Sequence, residues 1–333
     1  MKIKTIHYLL FFYSVLMAKE VRINVVDETG VPISRADASI YFMHPRNDDQ
    51  RDGITDETGS FSVSGTGSLG VGLMVKKNGY YPARMEGLSK KSDHNFSVVL
   101  PRVLNPIALY AWRSSGFGST LTFPAQNQWF GFDFEEADWV APYGKGGKVD
   151  ILLRFTHTYK GWHEHLEDPQ RLEEVMAANR AVYAARKKEW TLEKFKITAG
   201  RWDGVLEISF PAEAEGILEE RRIFPYSLLK MPHTAPVEGY VSSWRFTSNN
   251  YSPPTERSDV GFFLRTRVSR GKDGKLLSAN YAKVIGDFRL DAAGGSVEFS
   301  YYFNPVSNDR NLEFDPKKNL FPKSKPGSDV YDP

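Results

Sequence analysis

The sequence predicts an all-β protein: a small N-terminal β-sandwich followed by a larger antiparallel β domain that carries one helical insertion. Three observations carry that expectation. The chain has 333 residues, more than one typical domain of about 100–200 residues, so two are expected. Its 19 prolines, 27 glycines and 14% aromatic residues suit short strands joined by many turns. Strand-length apolar segments bounded by turn formers recur from Val21 onward.

The first eighteen residues have the form of a secretory signal peptide, with Lys2 and Lys4 ahead of the apolar run "YLLFFYSVLMA" that ends at Ala18. The run is shorter than the roughly 20 apolar residues needed to cross a bilayer, so cleavage near Ala18 is expected, with no integral membrane segment afterwards. Loss of Lys2 and Lys4 from the 43 basic residues leaves 41, equal to the 41 acidic ones. A chain with no basic excess has nothing with which to neutralise nucleic-acid phosphates or hold an anionic membrane. The complete lack of cysteine excludes disulfides, thiolate chemistry, cysteine-ligated zinc and a lipid-bearing cysteine. An exported chain that folds on core packing alone suits a bacterial envelope, periplasmic or extracellular.

Residues 19–101 are expected to form the first domain. "VRINVVDETGVPIS" sets Val21, Ile23 and Val25 on one face before a turn at "DETG", where glycine supplies the left-handed conformation. "ADASIYFM" follows as a strand. "GITDETGSFSVSG" then repeats the same four turn residues, Asp56 to Gly59, ahead of Phe61 and Val63. "VGLMVKKNGYYPA" and "HNFSVVLPR" supply two more strands, a spacing that fits a small antiparallel sandwich. In this order the segments resemble the carboxypeptidase regulatory-like domain, a transthyretin-like β-sandwich. The "GYYPA" segment, Gly79 to Ala83, matches that family's glycine and aromatic pair near a strand end. The resemblance implies an accessory module of exported proteins with no catalytic residues of its own. This chain departs from the pattern in the longer polar connection "HPRNDDQRD" between Met43 and Gly53.

"PRVLNP", Pro101 to Pro106, is the expected linker, and residues 102–322 form the second domain. Its strands are "DILLRFTHTY", "GVLEISFP", "SSWRFTS", "VGFFLRTRVSR", "NYAKVIGDFRL" and "SVEFSYYFNP", with hairpin turns at "GKDGK" and "DAAGG" between the last three. One segment, near residues 169–190, breaks the pattern. Asp168 caps a helix beginning at Pro169, and Leu172, Val175, Val182 and Tyr183, with Asn179 among them, form a stripe expected to pack on the sandwich. Near the C-terminus, Arg310 is expected to pair with Asp309 or Asp315, and residues 323–333 to fray.

"WVAPYGKGGKVDILLRF", Trp139 to Phe155, poses the question of nucleotide binding, with glycines and lysines where a phosphate loop would have them. A phosphate loop follows a strand, opens a helix and ends in Lys followed by Ser or Thr. Here neither Lys145 nor Lys148 has that successor, and a strand comes next, so a polar turn with solvated lysines is expected and no nucleotide. His157, His163 and His165, with Glu164 and Glu167, lack the spacing of a zinc motif, and no metal or other cofactor is expected. GxSxG and EF-hand patterns are missing too.

The acids of "WFGFDFEEADW" raise glycoside hydrolysis, which needs one carboxyl to give a proton while another attacks or activates water. Alternation instead sends Phe130, Phe132 and Phe134 to one face and Asp133 with Glu135 to the other, as in a half-exposed strand. Trp112, Phe117, Phe123, Trp129, Trp139 and Tyr143 crowd this region, either filling a core or stacking on sugars. The sequence therefore points to a non-catalytic binding or structural protein of the envelope, whose partner is a protein or a polysaccharide. Trp129, Trp139, Asp133 and Glu135 are the candidate ligand-binding residues. The alternative is a glycan-active hydrolase whose acids the sequence does not identify.

Overall fold

The computed structural model describes residues 18–88, 94–114, 119–221, 223–224, 226–253, 257 and 259–333. The expected signal peptide, save Ala18, and Phe117 lie outside the described residues. The protein is all-β and divides into two compact units, Met1–Val103 with Phe224–Leu228, and Leu104–Ile223 with Leu229–Pro333.

Unit 1 has seven strands: β1 (Lys19–Val26), β2 (Asp37–Met43), β3 (Asp49–Ile54), β4 (Ser60–Gly65), β5 (Gly70–Lys76), β6 (Ala83–Leu88) and β7 (His94–Val99). They form one sheet in the order β4-β1-β7 and another in the order β3-β2-β5-β6, antiparallel except for β1 with β7. Val21, Ile23 and Val25 of β1 share a core with Ile40, Phe42, Leu73, Val75 and Val98, so the two sheets face each other as a sandwich. The repeated "DETG" gives the same turn twice. Asp27 and Asp56 each accept from the backbone and hydroxyl of the threonine two residues on, and Gly30 and Gly59 take φ of +86° and +75°.

Residues 49–54 correct the sequence reading. "DQRDGI" lies in what was expected to be a connection, yet it pairs with β2 along its whole length. An edge strand with polar residues on both faces has no apolar alternation to betray it. At the opposite edge, β6 is covered by a segment from far along the chain. Arg84 N donates to Tyr226 O at 2.8 Å, and Leu228 N to Pro82 O at 3.0 Å.

Unit 2 contains β8 (Tyr110–Arg113), β9 (Leu121–Thr122), β10 (Trp129–Asp133), β11 (Asp138–Trp139), β12 (Ile151–Trp162), β13 (Gly200–Ser209), β14 (Gly216–Glu220), β15 (Ser243–Asn249), β16 (Gly261–Arg270), β17 (Leu276–Asp291) and β18 (Ser296–Asn304). All pairings are antiparallel. One sheet runs β11-β10-β12-β13-β15. The other runs β14-β16-β17-β18-β8, with β9 also on β18. Phe130, Phe132, Leu153, Phe155, Leu206 and Ile208 of the first meet Phe262, Val284, Phe288, Phe299 and Tyr301 of the second in one aromatic-rich core.

The second sheet is buried on its other face as well. Phe263, Tyr281 and Tyr302 pack there against Leu109, Met231, Leu312 and Phe314, which come from loops. Lys283 lies in that layer, wholly buried, its Nζ without a hydrogen-bond partner among the described residues and 4.6 Å from the Tyr302 ring centroid. Burial draws its pKa down to about 7, against the pull of Glu313. Among the described residues, the positions of β12, β13 and β15 that face away from the aromatic core are half-buried or exposed.

The helical insertion is the connection of the β12–β13 hairpin. It holds α1 (Pro169–Ala185) and α2 (Leu192–Ala199), two helices where the sequence predicted one. Asp168 caps α1 by accepting from Arg171 N, as expected. The stripe does not pack on the sandwich: no α1 residue is buried, and Val182 is 45% exposed. Instead Asn179 accepts from Trp190 Nε1 and Arg180 lies over the Trp190 ring, so α1 closes on its own loop. α2 buries Phe195 beside Trp162 and Trp190.

The C-terminal residues are pinned where fraying was expected. Trp112 Nε1 donates to Pro326 O, Arg113 N to Gly327 O, and Arg113 pairs with Asp329. The expected pairing of Arg310 gives way to donation from its guanidinium to Ala235 O, while Asp315 pairs with Lys318. Among the described residues no helix is long and apolar enough to cross a membrane.

Candidate functional site

The glycine-rich loop between β11 and β12 does hold an anion, and the anion is the protein's own. Asp133 Oδ2 accepts from Gly147 N and Lys148 N, both at 2.9 Å, which fills the cradle a phosphate would need. A Cβ on Gly146 would come within 2.8 Å of Asp133 Cβ, so glycine permits the close approach. The other oxygen, Oδ1, accepts from Glu135 N at 2.9 Å and from Arg267 at 3.4 Å. An ionised carboxylate offers about four acceptor positions, and Asp133 has all four taken.

Arg267 organises the rest of this cluster. Its φ of +51° coincides with a register shift between Thr266 and Ser269, and both Thr266 Oγ1 and Arg267 Nε reach Asp150 Oδ1. Consecutive residues of a regular strand point to opposite faces, so the bulge is what brings both to one carboxylate. Asp150 Oδ2 accepts from Phe134 N and Arg267 Nη2, and Glu135 Oε1 accepts from Nη1 at 2.5 Å. Burial lowers the Arg267 pKa, but hydrogen bonds and charge from Asp150 and Glu135 outweigh it, so the net shift is upward.

Asp133 and Glu135 are therefore not solvent-facing ligands. Asp133 is only 2% exposed, and Glu135 is divided between Arg267 and Lys148, whose Nζ donates to its Oε2 at 3.0 Å. Strand alternation misplaced Asp133 because a satisfied, buried carboxylate carries the same sequence pattern as an exposed one. Trp139 is corrected likewise. It is 5% exposed, in contact with Phe123, Phe130 and Phe132, and its Nε1 donates to Thr122 O. Trp112 and Phe123 also belong to the core, while Tyr143 is exposed.

The histidines are dispersed into separate roles. His157 stacks on Trp202 with ring centroids 4.2 Å apart and its Nδ1 lies 3.1 Å from Ala292 O. His163 and His165 face each other at 6.0 Å at the start of the insertion. Among the described residues no group of three His, Asp or Glu could hold a metal ion.

Trp129 remains, at 41% exposure, on the open face of the five-stranded sheet. Its cross-strand partners continue in one row: Trp129 opposite Arg154, Arg154 opposite Glu207, and Glu207 opposite Arg245. Residues directly opposite in antiparallel strands share a face, so the four side chains form a ladder across β10, β12, β13 and β15. Arg154 lies over the Trp129 ring, 4.7 Å from its centroid, and donates to Glu207 Oε2 from Nε at 2.8 Å. Both contacts fix the indole before anything binds.

Beside the ladder a depression of about 430 Å³ is lined by Trp129, Glu207, Ser209, Ser243, Trp244 and Arg245. A second, of about 320 Å³, is lined by Trp244, Arg245, Phe246, Glu219, Arg257 and Asp287. Arg245 and Trp244 belong to both. Of the four candidates from the sequence, only Trp129 stands on this face. Arg154, Glu207 and Arg245 went unrecognised because each is an ordinary polar position in an alternating strand. Only the register of four strands, separated by up to 116 residues from Trp129 to Arg245, aligns them.

No protein-family model matches this chain, and no curated protein sequence matches it. Among solved structures, a 3-chlorocatechol 1,2-dioxygenase from Rhodococcus opacus is similar over 26% of this chain and 60% of its own, at 12% identity and a TM-score of 0.23. A DUF3823 family protein from Parabacteroides merdae is similar over 84% and 95%, at 8% identity and a TM-score of 0.19. A shaft pilin from Lactobacillus rhamnosus is similar over 80% and 93%, at 7% identity and a TM-score of 0.19. This chain spans 60% of the length of that dioxygenase and 53% of a catechol 1,2-dioxygenase from Acinetobacter. At TM-scores this low the likenesses carry no functional weight.

Proposed function

We propose that this protein is an exported, non-catalytic binding protein of the bacterial envelope whose unit 2 holds a polysaccharide on the open face of its five-stranded sheet. The observation that carries the reading is Trp129: a half-exposed indole, backed by Arg154 and set at the rim of a depression with hydroxyl and charged walls. The flat ring offers an apolar surface to the C–H face of a pyranose. Ser209 and Ser243, opposite each other on β13 and β15, offer hydroxyls to the sugar's own. Binding rather than hydrolysis is favoured by the saturation of Asp133 and Asp150, which leaves neither carboxylate a position from which to activate water. For unit 1 we infer an accessory sandwich of the carboxypeptidase regulatory-like kind, a reading supported by its seven strands in sheets of three and four.

The test is retention on immobilised polysaccharides. Wild type is expected to be retarded by at least one, and Trp129→Ala to lose that retardation while keeping its circular dichroism and melting temperature. Retention unchanged by the substitution removes this face from the function.

A further inference from the structure

We infer that the polysaccharide is acidic, carrying carboxylate or sulfate groups, and that Arg245 is the residue that reads the charge; this rests on the binding face proposed above. The ladder has two guanidinium groups and one carboxylate. Glu207 is engaged by Arg154 through Nε and Nη2, both at 2.8 Å on the same oxygen. Arg245 stands opposite Glu207 in register and is exposed, and its guanidinium makes no hydrogen bond or ion pair among the described residues. Among the described residues the row therefore ends in a planar cation without a carboxylate partner, the group best shaped for a two-point grip on a carboxylate or sulfate.

Its position sets the geometry of the ligand. Arg245 lies three strand spacings from Trp129, about 14 Å at roughly 4.8 Å per strand, so one sugar cannot meet both. A chain lying across the strands can stack on Trp129, pass Ser209 and Ser243 and present an acidic group to Arg245. Because Arg245 also lines the second depression, over the edge strand β15, the track continues beyond it. There Arg257 is already held by Glu219 and Asp287, which leaves Arg245 as the cation open to the ligand.

The experiment is affinity electrophoresis of wild type, Arg245→Gln and Trp129→Ala through gels holding neutral glucomannan or dextran, or acidic polygalacturonate, alginate or chondroitin sulfate. Wild type is expected to bind an acidic polymer best, and added salt to weaken that binding. Arg245→Gln is expected to weaken it about tenfold, the loss of one charge-assisted contact, without altering the melting temperature. Best retention by a neutral polymer, or acidic retention that Arg245→Gln leaves unchanged, overturns the acidic assignment. If Trp129→Ala still abolishes retention in that case, the binding face stands and only the ligand class fails. Wild type passing all five gels unretarded overturns both.

Discussion

Unit 2 builds two charged clusters from the same residue types and gives them opposite characters. Around Arg267, packed beside Asp133, Glu135 and Asp150, every carboxylate oxygen described has a donor, and Phe303 underlies the guanidinium. Around Trp129, on the open sheet face, Arg154 and Glu207 satisfy each other while Arg245 is left over. The first cluster joins strands and turns of the fold, through donors that a ligand would have to displace. The second is fixed in place yet incomplete. Acidic residues in a crowded aromatic segment therefore say little about chemistry until their acceptor positions have been counted.

The sharpest way to break the contrast is to remove Arg267. Arg267→Met leaves three carboxylates without their common cation, and a stability loss of about 3–5 kcal/mol is expected from denaturant unfolding, with polysaccharide retention unaltered in the protein that remains folded. Lys283 supplies a counter-case, a buried cation without any such network. Lys283→Met is expected to stabilise the protein at pH 7 by about 1–4 kcal/mol. The folded pKa of about 7 lies below the ordinary 10.5, so between those values the unfolded chain binds more protons. Wild-type stability is thus expected to rise with pH across that window, and the advantage of the variant to shrink.

Asp133→Ala uncaps the two loop amides and is expected to cost about 1–3 kcal/mol, read as a lower unfolding midpoint. Trp129→Ala is the smallest in stability, under about 1 kcal/mol, and the largest in binding. A stability loss as great as that of Arg267→Met would dissolve the distinction between the clusters.

Much of the fold was legible because it rests on local patterns. The alternation of Val21, Ile23 and Val25, the two "DETG" turns and the Asp168 cap each depend on neighbours within a few residues. Asp49–Ile54 escaped because a polar edge strand has no period to detect, and the short α2 because its one buried residue, Phe195, makes no stripe. The site was less legible. Trp129 and Trp139 are ten residues apart and alike in sequence context, but one faces solvent and the other the core, a difference set by the β10–β11 pairing and the second sheet. In the glycine loop the missing Ser or Thr leads the sequence to predict a polar turn in place of a phosphate loop. That Asp133 occupies it follows only from the folded backbone.

The strand edge at β6 has a consequence for how the protein is made. Its hydrogen-bonding partners, Tyr226 to Leu228, follow Val103 by more than a hundred residues. At a synthesis rate of about 5–20 residues per second, the first sandwich waits roughly 6–25 s after its own strands are complete before that edge can be closed. For that interval an unpaired edge is available to neighbouring chains. A cell making this protein has reason to keep nascent copies apart, and a fragment ending at Val103 carries the same open edge permanently.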